Sequence, residues 1–159
     1  MMKVTELHIT SLLLPFALML SGVTAQADDL AVNAPVTHQT TGEFEDIVFA
    51  VENAILNAGL LIEGHSHVGD MLARTKEDVG GGKDLYSHAD VFTFCSASVS
   101  RQVMEADILN LQHCPYSIFL FETPEAPGQI TVGRRAYGGS MQPAAELLDS
   151  IIADALMLD

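Results

Sequence analysis

The chain has 159 residues, with 7 Lys and Arg against 21 Asp and Glu, a formal net charge of −14. That acidity excludes a nucleic-acid binder, which needs a basic patch to meet phosphate, and docking by charge on an anionic membrane surface. With 48% hydrophobic and 18% charged residues the chain can bury a core. Its two cysteines, Cys95 and Cys114, are too few for a disulfide-rich scaffold or a four-cysteine zinc or iron–sulfur centre.

Residues 1–27 read as a secretory signal peptide. Lys3 supplies positive charge, and Leu12 to Leu20 (LLLPFALML) is an apolar run too short to span a bilayer. Ala25-Gln26-Ala27 then offers an A-x-A cleavage site. Cleavage removes Lys3 and Glu6 together, so the net charge is unchanged. The expected product is a periplasmic or secreted protein with no membrane span, in a compartment that permits disulfides. Its flexible start is 28–35 and one domain occupies 36–159.

Val36 to Thr40 reads as a first strand. Thr40 and Glu43 form a T-x-x-E capping box, and Phe44, Ile47, Val48, Val51 and Ile55 recur at helical spacing, which predicts a helix over 43–58 stopped by Gly59. A strand follows over 60–67, then a short helix over 70–75 and a glycine loop over 79–84. Residues 91–95 are β-branched and aromatic, a strong strand. Ser96 or Ser98 caps a helix running to about Leu109, with Val103, Met104, Ile108 and Leu111 on its buried side. Residues 116–121, apolar on both faces, form a central strand. A turn over 124–128 leads into a hairpin partner over 129–137, ended by Gly138-Gly139. Pro143 opens a last helix whose apolar stripe is Leu147, Leu148, Ile151, Ile152, Ala155 and Leu156. The order predicts one sheet with helices packed on it.

Four segments carry a resemblance. Ser66-His67-Val68-Gly69-Asp70-Met71-Leu72 with Arg74-Thr75, Phe94-Cys95-Ser96-Ala97, Met104-Glu105-Ala106-Asp107 and Cys114-Pro115-Tyr116 resemble, in order, the domain of unknown function 302 family in its secreted proteobacterial form. The resemblance covers most of 36–157. It implies a single α+β domain of the TATA-binding-protein-like kind, with a mainly antiparallel or mixed sheet and helices on one face, often as a homodimer. It implies no established reaction. One departure is Asp107-Ile108-Leu109, where the family pattern has a proline after the aspartate.

The two cysteines allow several readings. A bridge would close a ~20-residue loop and contribute about 3 kcal/mol. If the intervening helix is a right-handed crossover, however, the flanking strands run parallel. Cys95 and Cys114 then sit at opposite strand ends, ~17 Å apart, beyond the reach of a disulfide. Two separate buried thiols are the other structural reading. A thiol-based redox pair is the functional one, although neither cysteine has a C-x-x-C partner.

His65 and His67 lie two apart on a strand, so both side chains point to one face. Met71 follows within a helical turn, His88 precedes the Cys95 strand, and Met104 faces the core side of the next helix. Imidazole, thioether and thiolate together suit copper as Cu(I), and His with Met suits non-covalent haem. The leading expectation is therefore an envelope accessory module holding a small ligand or soft metal at His65, His67, Met71, Cys95 and Met104. A redox protein using Cys95 and Cys114, or a purely structural homodimer, are the alternatives. No catalytic residue is named, since neither G-x-S-x-G nor C-x-x-C-H is present. Arg134 and Arg135 face opposite ways on their strand, and a salt bridge is the expected use of one of them.

Overall fold

The computed structural model describes residues 34–158. The expected leader, its cleavage site and nearly all of the flexible start lie outside the described residues. The elements are β1 (Val36–Thr41), α1 (Phe44–Asn57), β2 (Leu61–His67), α2 (Val68–Thr75), β3 (His88–Cys95), α3 (Ala97–Ala106), a 3-10 segment (Ile108–His113), β4 (Tyr116–Glu122), β5 (Gln129–Arg134), a short 3-10 turn (Gly139–Met141) and α4 (Gln142–Leu156). Among the described residues, no helix is long and apolar enough to cross a membrane.

Alternation builds the sheet. In β4 every second residue from Tyr116 to Glu122 is buried. In β3, Asp90, Phe92 and Phe94 face the same way. The five strands lie in the order β1-β5-β4-β3-β2, every neighbouring pair antiparallel. β4 is central, as its apolar composition predicts. One face of the sheet supplies Phe92, Phe94, Tyr116, Ile118, Leu120, Ile130 and Val132 to the core. The helices α1 and α4 cover it with Val48, Val51, Ile55, Leu148, Ile151 and Ile152. The α+β sandwich expected from the sequence is the fold observed.

Three local expectations are corrected. Thr40 does not cap α1: it pairs with Ile130 inside the β1–β5 ladder, and Glu43 is the N-cap, without a side-chain cap bond. The helix after Ser96 ends at Ala106, because Asp107 turns extended and its Oδ1 accepts from the Leu109 N–H at 2.9 Å. Ile108 and Leu111 therefore sit in the 3-10 segment, 74% and 62% exposed, instead of on a buried helical face. Finally, β3 and β4 are antiparallel, not parallel. The extra 3-10 segment returns the chain to the end of β3 that it left.

Candidate functional site

Five residues of β2 carry the first part of the site's geometry. The ladder pairs Ile62 with Phe94 and Gly64 with Thr93, so Glu63 is an extra residue, a bulge. Beyond it His65 pairs with Phe92 and His67 with Asp90. Directly paired residues share a face, so both imidazoles stand on the helix-covered face beside Asp90. β2 is an edge strand, and His67 passes directly into α2 as its N-cap.

His65 Nε2 lies 2.6 Å from Asp90 Oδ2, and His67 Nδ1 lies 3.2 and 3.1 Å from Asp90 Oδ1 and Oδ2. The His65 ring stacks on Phe92 at 4.0 Å and tilts against His67 at 4.4 Å. Exposure is graded: the Asp90 side chain is 7% exposed, His65 27% and His67 59%. One carboxylate thus reaches into the core edge and two imidazoles cover it, the outer one open to solvent. The three ligand atoms lie within 4.8 Å of one another. Donors at ~2 Å from a tetrahedral ion stand ~3 Å apart, so the cluster is close to a coordination shell already.

The same face continues along β3. His88 is two residues before Asp90 and stacks on Phe44, the first residue of α1, at 4.9 Å. A cleft of about 490 Å³ adjoins it, lined by Glu43, Phe44, Glu45, His88, Glu122 and Pro127. Three carboxylates around one opening give it a potential that draws cations.

The structure brings together His65 and His67 of the expected ligand set and places Cys95 at the far end of β3. Cys95 is five residues beyond Asp90 on β3, ~17 Å along the strand. Met104 sits half-buried on α3, packed against the core. Met71 is 41% exposed on α2, its sulfur 4.0 Å from Thr75 Oγ1. The residue that sequence reasoning missed is Asp90. Its signal was present: an aspartate in phase with Phe92 and Phe94 is a charge on a buried face, which demands partners.

At the other end of β3 the antiparallel pairing produces a second cluster. Cys95 Sγ touches Cys114 Sγ at 2.6 Å. Ser100 Oγ lies 3.9 Å from Cys114 Sγ and donates to Tyr116 Oη at 3.2 Å. The Cys95 thiol is pushed up to about 12, by burial first, then by the Cys114 sulfur and the nearby Glu63 carboxylate. The two cysteines are neighbours, and the expectation that parallel strands hold them apart is overturned with the strand direction. Arg134 makes the expected salt bridge: its Nε and Nη2 each donate to Asp149 on α4 at 2.6 Å.

Among solved structures, the fold matches the crystal structure of an uncharacterised conserved protein of the domain of unknown function 302 from Bacillus stearothermophilus, with a TM-score of 0.58 and 12% identity over 77% of this chain and 95% of that one. No family model and no curated protein matches the sequence. The chain therefore has the fold implied by the sequence resemblance, and the likeness speaks for the fold alone.

Proposed function

We propose that this chain is an accessory module of the bacterial envelope, exported by its leader, that holds one divalent first-row transition ion at His65, His67 and Asp90. The observation that carries the reading is the convergence of two imidazole nitrogens and a carboxylate within 4.8 Å, around an aspartate only 7% exposed. Two imidazoles with one carboxylate suit Zn²⁺, Fe²⁺ or Cu²⁺. These three groups contain no sulfur, so they suit a borderline ion better than the Cu(I) or haem of the sequence expectation.

The chemistry of uptake follows from the hydrogen bonds. An arriving cation takes the place of the protons shared between the imidazoles and Asp90, and it neutralises a carboxylate that is otherwise largely desolvated. His67 at 59% exposure leaves the remaining coordination positions facing water. That suits taking up and releasing an ion more than chemistry that excludes water. The acidic chain and the carboxylate-lined cleft raise the local cation concentration.

Isothermal titration of the purified chain with zinc tests this. One ion per chain is expected, with affinity reduced about tenfold or more by His65→Ala and by Asp90→Asn, and unchanged by Met104→Leu. Absence of binding by wild-type protein, or equal affinity for His65→Ala, would contradict the proposal.

A further inference from the structure

A second site lies at the opposite end of β3 and is independent of the metal reading. β3 ends at Cys95, and the chain leaves through the Ser96 cap into α3. It returns through the 3-10 segment to Cys114, whose N–H bonds the Leu111 carbonyl at 3.1 Å just before β4 begins. Phe94 and Tyr116 are the last pair of the β3–β4 ladder, and Cys95 and Cys114 lie just beyond it at the mouth of the excursion. The sulfurs touch at 2.6 Å. We infer that Cys95 and Cys114 form an intrachain disulfide that staples the exit of β3 to the entry of β4 and fixes the 96–113 excursion between them.

The bond forms by exchange with a disulfide donor, a small-molecule or protein disulfide of an oxidising compartment. Cys114 attacks one donor sulfur as thiolate and releases one donor thiol. Cys95 then attacks the Cys114 sulfur and releases the second. The two cysteines are oxidised, one donor disulfide is reduced, and the two cysteine protons end on the two donor thiols.

The surroundings favour a lasting bridge over a shuttling one. A thiol as hard to ionise as Cys95 is a poor leaving group, so reduction by attack on the Cys114 sulfur, which expels Cys95, is slow. Cys95 is also only partly accessible, and the Cys114 sulfur lies against Ser100 of α3. This separates a structural disulfide from the redox-active pair of the sequence analysis.

The test is equilibration of the purified chain in a buffer of reduced and oxidised glutathione, followed by alkylation and mass measurement. The expected product is lighter by two hydrogens, carries no glutathione and accepts no alkyl group. It should melt about 10 °C above the same protein kept under excess reductant. Cys95→Ser in the same buffer should carry one glutathione on Cys114 and show no melting gain. Two alkylatable thiols in wild-type protein, glutathione on both cysteines, or a bridge that leaves the melting temperature unchanged would each overturn the inference. Zinc titration of Cys114→Ser separates the two sites: undiminished binding is expected, and lost binding would show that the bridge is part of the metal site.

Discussion

At Asp90 a single carboxylate meets two imidazoles, and this arrangement depends on small residues nearby as much as on the ligands. Gly69, two residues past His67, lies so close to β3 that an added Cβ would stand 2.7 Å from the Ala89 backbone nitrogen. Backbone cannot yield as a side-chain tip can. Gly69→Ala is expected to lose ~1–3 kcal/mol of stability, read by chemical denaturation, and to weaken zinc binding by displacing α2 and the His67 cap from which it starts. His113 offers a separate residue-scale prediction. Burial holds its imidazole below the ordinary histidine value of 6.5, and Arg135 pushes the same way. Its Nδ1 is buried without a hydrogen-bond partner among the described residues. The unfolded chain accepts a proton that the folded chain resists. The contribution of His113 is therefore complete above pH 6.5 and is lost as pH falls through its lowered folded value. His113→Gln should flatten the fall in stability between about pH 7 and pH 5, as read from melting curves against pH. An unchanged slope would contradict this.

At the scale of elements, specific polar ties hold the pieces that carry no core. The 3-10 segment exposes Ile108, Leu109 and Leu111, yet Asn110 within it is buried. Its Nδ2 donates to the Val103 carbonyl at 2.7 Å and to Ser140 Oγ at 2.9 Å, fastening the segment to α3 and to the turn before α4. Asn110→Ala removes both bonds and is expected to cost ~1–3 kcal/mol, measured by denaturant midpoint. Arg134 ties β5 to α4 in the same manner. It is buried, while the Asp149 side chain is 47% exposed, so solvent offsets part of the loss when the partner is removed. Asp149→Ala is expected to cost ~1–2 kcal/mol, against ~2–5 kcal/mol for Leu148→Ala in the core.

These elements also mark how far the sequence could be read. Period-two runs in β3 and β4 and the helical stripe of α4 reflect burial directly, so the elements were legible. The strand direction of β4 was not. A helix between two strands favours a parallel crossover, and only the termination at Asp107 and the added 3-10 turn reverse it. The ~17 Å separation expected for the two cysteines followed from that one direction. In the site, the shared face of His65 and His67 was legible from their spacing. Their partner was not, because pairing across strands depends on register, and the Glu63 bulge shifts that register by one residue.

On the scale of the whole molecule, β3 serves as a rod with a chemical feature at each end: the histidine–aspartate cluster near its start and the cysteine pair at its finish. The length of strand between them, ~17 Å, keeps the cysteine sulfurs away from the imidazole and carboxylate groups. The most direct measurement is X-ray absorption at the metal edge of the zinc-loaded chain. The expected spectrum shows a shell of nitrogen and oxygen near ~2.0 Å with the outer scattering of two imidazoles. A sulfur shell near ~2.3 Å would contradict it.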